Sequence, residues 1–514
     1  MRKPILIVLM LCSLVAFAQQ KTIRGVVFDA QFKTPVAFAA VYIENSRFGT
    51  IANNLGEFSF TIPDSLTSGN LVISGEGFQM MRLPLQLADA PQLDVFLESS
   101  AETNNNGFLK QAVAFVMNDW VPLGNPETNK FDFGRLQTIP TYNPIEGVRL
   151  RAGAASNSRL SPHFFVKGYG AYGFRDQKFK YRGEVVYSFN KKVYHDEEFP
   201  KNNLRFVHEN DIYSPGELHP RANNDLLLVT YRRSKDETTY RNFSELNYEK
   251  EYGNGFSHLF WLRRSRLTPQ GNLIFNQPIG DVTVNADYLI FSETGVSIRF
   301  LGREAYAQQK RKKTLLDYAG PLLILSHSIG LKDFMDGQYS YQRSEFSAQK
   351  RFLFKDYGHF DAVGEASKIW GSVPFPLLVY PNQRHRYGIE NNAFFLNRSL
   401  GFVADEQVTF RTVFIGDKLW LSKINLLNML SVRELISIRA SYGRLSNKNK
   451  PQNNDNLFNL LPTMSEYKPG LPYVEGTIGF THILGLLRIE YVHRFTYRNI
   501  PGAMSGAVRI DITI

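Results

Sequence analysis

Basic residues at alternating positions are the side chains with the clearest chemical use in this sequence. Lys178, Lys180 and Arg182 stand at every second position of one segment, and Arg488 and Arg494 oppose Leu487, Ile489, Tyr491, Phe495 and Tyr497 in another. Arg149 and Arg151 repeat the spacing, and Arg509 faces away from Val508, Ile510 and Ile512. A strand turns every second side chain to one face, so Arg149, Arg151, Lys178, Lys180, Arg182, Arg439, Arg488, Arg494 and Arg509 would share a polar surface. Glu184, Glu475, Glu490 and Asp511 are the carboxylates legible on the same faces, and nine minus four leaves +5. Around a narrow aqueous path such an excess gathers anions and repels cations. The competing reading is that carboxylates from further strands pair with these arginines and fill the interior.

Catalytic and metal chemistry find no pattern of this kind. The ten histidines include no H-E-x-x-H, and the single H-x-x-E, His195-Asp196-Glu197-Glu198, reads as a solvated acidic loop without a third ligand. No G-x-S-x-G elbow or G-x-x-x-x-G-K-[ST] loop occurs, and Gly168, Gly170 and Gly173 sit in a strand where they ease curvature. The expectation is no catalytic residue, no metal and no cofactor. A barrel-embedded hydrolase with scattered Ser, His and acid residues is the alternative, since triads are set in space.

The elements that would position the basic residues are strands. From Ile145 onward, alternation over about ten residues recurs, with aromatics on the apolar side. Forty Phe and 25 Tyr against 4 Trp agree with many strands. Strands of this length, apolar outward and polar inward, suit a transmembrane β-barrel. Spread over the region, the spacing predicts about 14 to 18 antiparallel strands. Short turns mark the periplasmic side of such barrels and long loops the outer side. Read from the start, Ser156–Pro162 and the stretch Lys191–Asp225 would be outer loops, with Asp176-Gln177 as an inner turn. Read from the end, Leu445–Pro472 and Arg498–Met504 would be outside and Leu484–Leu486 inside.

Residues 1–18 have the form of a signal peptide: Arg2 and Lys3, an apolar run from Ile5 to Val15, then Ala16-Phe17-Ala18. Cys12, the only cysteine, would leave with it, excluding disulfide and thiolate chemistry from the exported chain. The formal charge of +11 becomes +9 without Arg2 and Lys3. Its densest basic run, Lys310 to Lys313, reads as a solvated loop, and no nucleic-acid partner is expected.

Residues 19–99 read as a small β-sandwich of four- to eight-residue strands. The string I-x-G-x-V-x-D from Ile23, then Pro35-Val36, Gly49-Thr50 and N-x-x-G-x-F-x-F at Asn53–Phe60, resembles the carboxypeptidase regulatory-like (transthyretin-like) domain. In those enzymes catalysis belongs to another domain, so the resemblance implies a structural or docking module. Residues 100–141 read as a linker carrying a short amphipathic helix from Phe108 to Trp120. The barrel is assigned to residues 142–514. Tyr142-Asn143-Pro144-Ile145-Glu146-Gly147, then Gly168–Phe174, Lys178–Tyr181 and Gly371–Leu377, resemble an uncharacterised family of Gram-negative outer-membrane proteins. That family joins a regulatory-like domain to a β-barrel, which makes Tyr142, Asn143, Pro144, Glu146 and Gly147 its motif here.

The fold expectation is therefore all-β, with a small N-terminal β-sandwich followed by a large antiparallel transmembrane β-barrel. The resemblance implies the outer membrane, with the sandwich in the periplasm. The expected role is non-enzymatic, in transport, envelope assembly or scaffolding. Outer-membrane lipid, envelope proteins bound through the sandwich and an anionic solute are the expected partners. A TonB-dependent-transporter-like protein lacking a normal plug is a further alternative, weakened because only about 45 residues separate Ser99 from the first barrel strand.

Overall fold

A computed structural model of the chain describes residues between 20 and 512, leaving out 64–68, 85–92, 99–119, 135–138, 217–237, 309–312, 383–392, 484–486 and several shorter stretches. The signal segment, almost all of the expected helix and most of Lys310–Lys313 lie outside the described residues. The chain forms two compact units, one of Met1–Gly107 with Arg303–Asp317, the other of Phe108–Gly302 with Tyr318–Ile514.

The first unit contains β1 (Gln20–Asp29), β2 (Ala40–Ile43), β3 (Gly49–Ile51), β4 (Glu57–Pro63), β5 (Asn70–Ser74), β6 (Met81–Pro84) and β7 (Leu93–Leu97). They form two sheets, ordered β4-β1-β7 and β3-β2-β5-β6. Period-two apolar positions from both sheets, including Ile23, Val27, Val41, Ile43, Phe58, Phe60, Leu71, Ile73, Val95 and Leu97, make one buried core. Gly25 is required where β7 joins β1 in parallel, because a Cβ there would lie 1.8 Å from the Leu93 carbonyl oxygen.

The second unit opens with three short strands, β8 (Trp120–Pro122), β9 (Phe131–Gly134) and β10 (Pro140–Asn143). The long strands begin with β11 (Gly147–Ser156), β12 (Phe164–Gly173), β13 (Lys178–Ser188), β14 (Asn202–Tyr213), β15 (Thr238–Glu251) and β16 (Phe256–Gln270). A hairpin of β17 (Phe275–Ile279) and β18 (Val282–Ala286) precedes β19 (Leu289–Leu301). The next hairpin, β20 (Ala305–Gln308) and β21 (Lys313–Asp317), belongs to the first unit. The array then continues through β22 (Leu322–Gly330), β23 (Tyr341–Leu353), β24 (Gly358–Gly371), β25 (Glu406–Gly416), β26 (Arg433–Arg444), β27 (Tyr473–Ile483), β28 (Leu487–Arg494) and β29 (Gly506–Ile512).

Eighteen strands share one sheet, β11 to β29 each pairing antiparallel with the next long strand. The fold is an all-β barrel array in which β11 and β29 do not pair directly. Between them stand β8, the neighbour of β29, and β9, which pairs with both β8 and the far end of β11. Two strands upstream of residue 142, β8 and β9, and the start of β10 thus belong to the array as well.

Strict antiparallel order fixes which connections share an end. The turn before β11 lies with the connections 174–177, 214–237, 271–288, 331–340, 372–405, 445–472 and 495–505, which we call the long-loop end. The connections 157–163, 189–201, 252–255, 302–321, 354–357, 417–432 and 484–486 lie at the other, short-turn end. This corrects the expected topology, because 157–163 shares its end with 484–486, while Asp176-Gln177 shares its end with 445–472. The tight turn misleads for a local reason. Gln177 adopts φ 52, and Asp176 bonds Lys180 and the Tyr240 hydroxyl, so one compact turn sits among long loops. The expected outer loop Lys191–Asp225 is corrected too, since it contains the whole of β14.

The faces separate as alternation requires. Along β13, Phe179, Tyr181, Val185 and Tyr187 point outward and are exposed, while Lys180, Glu184, Val186 and Ser188 are buried. Exposed Leu204 and Phe206, Leu323 and Leu325, Ile436 and Ile438, and Val508 and Ile510 repeat the pattern on other strands. Aromatics gather near both ends: Tyr172, Phe174, Phe179 and Tyr181 toward the long loops, Tyr187, Phe189, Tyr248 and His258 toward the short turns. From Phe179 to Phe189 a strand rises about 34 Å, or about 26 Å at a 40° tilt, the height of an outer-membrane apolar band.

Candidate functional site: the ion-paired interior

The Asn143–Gly147 turn between β10 and β11 shows what the family-like motif does. The Asn143 side-chain oxygen accepts bonds from the Ile145 and Glu146 amides at 3.0 and 2.9 Å, and its amide group donates to Glu146 at 2.5 Å. The Pro144 carbonyl accepts from Arg175 at 2.9 Å, and Gly147 supplies the φ of 66 that redirects the chain. Tyr142 remains exposed on the outer face. The corner buries Glu146 completely, 3.0 Å from Lys180 and 3.4 Å from Arg149.

From that corner a network crosses the inward faces. Arg149 grips Asp211 through two bonds of 2.8 and 2.7 Å, and the Tyr169 hydroxyl donates to the same carboxylate at 2.6 Å. Lys180 binds Asp176 at 2.5 Å, while Arg182 spans Glu184 at 2.7 Å and Glu209 at 2.6 Å. Arg151 lies half-buried with its guanidinium 3.7 Å from the centre of the Tyr169 ring. Lys178 is exposed, its ammonium 4.1 Å from the Tyr240 ring centre. Near the seam Arg488 and Arg509 both pair with Glu490, and Arg494 donates to the Tyr473 hydroxyl and the Leu396 carbonyl. The structure therefore joins Arg149 to Lys180 through Glu146 and Arg488 to Arg509 through Glu490, while Arg182 pairs with Glu184 and Glu209 and Arg494 bonds Tyr473 and Leu396. Lys178 joins none of these through an ion pair among the described contacts.

The carboxylates that receive these cations are mostly ones the alternation did not supply. Glu209 and Asp211 lie on β14, inside the expected loop Lys191–Asp225; Leu204, Phe206 and His208 alternating with Arg205, Glu209 and Asp211 are the signal for it. Further pairs are Arg263 with Glu293, Arg241 with Glu209 at 2.6 Å, and Arg411 with Glu365 at 2.9 and 2.5 Å. At the short-turn end, Asp196 and Glu197 meet Lys167, Lys201 and Arg205. Burial alone would raise Glu197, yet Arg205, Lys201 and Lys167 hold it well below the usual carboxylate range. Burial pushes the Lys192 ammonium nearby down to about 8. The expected solvated loop here is corrected. His195 is buried, its Nδ1 accepts from the Glu197 amide, and Glu198 binds the amides of residues 193–195.

The connection 372–405 is the largest contributor to the interior at the long-loop end. Val373, Phe375, Leu377, Leu378, Tyr380, Leu400 and Val403 are buried with Phe275, Leu445 and Phe458 in one apolar cluster. The rings of Phe275 and Phe458 stack at 5.0 Å. Glu475, fully buried on β27, accepts from the Phe395, Leu396 and Asn397 amides at 2.9, 2.7 and 3.1 Å and from the Tyr473 hydroxyl at 2.6 Å. One inward carboxylate thus holds three successive amides of the connection against the strand wall.

Two outward histidines bond cross-strand serines, His208 with Ser244 at 2.9 Å and His327 with Ser344 at 3.0 Å. The remaining bonds described for these pairs go to Tyr181 and Trp370, so each polar group is satisfied within an otherwise apolar face. Among the described residues, no group of three His, Asp or Glu is arranged to hold a metal.

Residues 23–108 match the CarboxypepD_reg-like domain, and residues 123–368 match the C-terminal domain of a family of unknown function, DUF5686. Along the chain a carboxypeptidase-regulatory-like match is followed by a match to the DUF5686 C-terminal domain. The Asn143–Gly147 corner and the network around Asp211 fall inside the DUF5686 match, while Glu475 and the seam arginines lie beyond it. No curated protein matches the sequence. Among solved structures, BamA from Haemophilus ducreyi lacking POTRA domains 1-3 is 10% identical, covering 82% of this chain and 73% of that one, with a TM-score of 0.43. CdiB from Acinetobacter baumannii is 10% identical over 82% of this chain and 62% of that one, with a TM-score of 0.37. The P pilus usher (PapC) translocation pore is 8% identical over 96% and 74%, with a TM-score of 0.17.

Proposed function

We propose that this protein is a non-enzymatic outer-membrane barrel whose interior is filled by ion pairs and by the 372–405 connection, serving transport or envelope assembly and not open diffusion. The observation that carries the reading is the division of each long strand. The outer face is apolar over roughly 25 Å between aromatic girdles, while the inner face carries arginines such as Arg149, Arg182, Arg263 and Arg411 that are matched to carboxylates. An open anion-selective pore would leave that charge facing water. Here Arg149, Lys180 and Arg182 are each in contact with a carboxylate.

The long-loop end is assigned outside and the short-turn end to the periplasm. Loop length supports this. A protease site inserted near Asn453 or at Asp176-Gln177 should be cut on intact cells, whereas one at Ser158-Arg159 should be cut only after the outer membrane is opened. Cleavage of the Ser158-Arg159 site on intact cells, with protection of the other two, would reverse the assignment.

The membrane reading is tested on gels. The purified exported chain should migrate faster unboiled than boiled, because barrel strands paired on both sides resist detergent. A single mobility with or without boiling would remove it.

A further inference from the structure

We propose that Arg439 holds a small monovalent anion, a halide, inside the wall formed by β26 and β27. Arg439 is fully buried, and Nη1 donates to the Ser437 and Thr477 hydroxyls at 2.8 and 3.0 Å. Its Nε and Nη2 are also buried and have no hydrogen-bond partner among the described residues. Hydroxyl oxygens satisfy two bonds and none of the charge.

The register explains why no carboxylate serves it. Across the sheet Arg439 lies opposite Arg411 on one side and Glu475 on the other. Arg411 is matched to Glu365, and Glu475 is taken by the Phe395, Leu396 and Asn397 amides and the Tyr473 hydroxyl. The next carboxylate, Glu490, is shared by Arg488 and Arg509. By register alone, Arg494 stands opposite Glu475, Arg509 opposite Glu490 and Arg488 opposite Asp511, so Arg439 is the fourth arginine beside three carboxylates. A buried guanidinium to which no carboxylate is bonded is a costly arrangement for a fold to hold. A water molecule would satisfy Nε and Nη2 yet leave the charge. One halide does both, and complete enclosure of the side chain selects a small ion over an organic acid.

The test uses the full exported chain in detergent, with the midpoint of its heat-induced gel shift measured in sodium chloride, sodium bromide and sodium gluconate at equal ionic strength. Chloride and bromide should raise the midpoint by several degrees over gluconate, since a ligand bound by the folded state alone stabilises it. The difference should vanish in Arg439→Met and persist in Arg151→Met. Bromide-soaked crystals should show anomalous density within hydrogen-bonding distance of Arg439 Nε and Nη2. Equal midpoints in all three salts, or density at Arg439 without anomalous signal, would overturn the proposal. Both measurements are made on the unaltered protein, so they decide even if Arg439→Met does not assemble.

Discussion

Glu475→Gln should convert a nearly silent barrel into a conducting one. The carboxylate accepts from three successive amides of the 372–405 connection and from Tyr473. Three of these donors share Oε1, and only the Phe395 amide uses Oε2, so glutamine keeps a neutral carbonyl toward three donors and turns its NH₂ group against the fourth. Hydrogen bonds to a charged acceptor contribute about 1.5–3 kcal/mol each and neutral ones about 0.5–1.5, so losing one outright and the charge from the other three costs on the order of 5 kcal/mol. That is enough to detach residues 393–397 from β27 while the paired strands persist. In planar bilayers the parent protein should pass little current and the variant sustained current, and protease should newly cut the variant between 393 and 401. Unchanged current and unchanged protection would show that the connection is held by its apolar cluster alone.

The second large effect is expected at the Arg149–Asp211 pair. Asp211→Asn leaves a buried guanidinium gripping a neutral amide and removes the charged acceptor of the Tyr169 hydroxyl. Breaking one partner of a buried pair costs roughly 3–5 kcal/mol, whereas replacing both with apolar residues of similar size is often neutral. The midpoint of urea-induced loss of the compact gel form should fall markedly in Asp211→Asn and recover in Arg149→Met with Asp211→Leu. As a contrast, Lys450→Ala, which breaks the part-exposed Lys450–Glu466 pair, should cost less than about 1 kcal/mol. If Asp211→Asn is as stable as the parent, the pair does not hold the interior together.

Much of this architecture is legible residue by residue. Period-two alternation in Lys178–Ser188 and Leu487–Arg494 marks two strands and their faces, and turn residues mark the strands of the first sandwich. The miss at β14 is instructive because its consequences reach the site. Val207 and Asp211 are both buried in a segment where charged and apolar residues mix, so its alternation is blurred. Reading it as loop removed Glu209 and Asp211 from the interior, the carboxylates that Arg182, Arg241 and Arg149 pair with, although Arg205 on the same face offsets one of them in the charge count. The inverted topology has an equally local source, one tight turn at Asp176-Gln177 on the side where other connections are long.

What the sequence by itself determines is the strand periodicity, the apolar outer surface, the regulatory-like domain and which residues can carry charge inward. These depend on spacing along the chain, and a strand's two-residue period translates spacing directly into a face. The tertiary structure decides which charge meets which. Arg149 finds Asp211 sixty-two positions away, and Glu475 finds the amides of residues 395–397 nearly eighty positions back. Such partners are set by strand order, register and the inward course of a connection, none of which is encoded in any short window. Arg439 shows the limit most clearly. Its neighbours in register are visible once strands are paired, but whether Glu475 serves that arginine or the amides of 372–405 depends on where the connection folds.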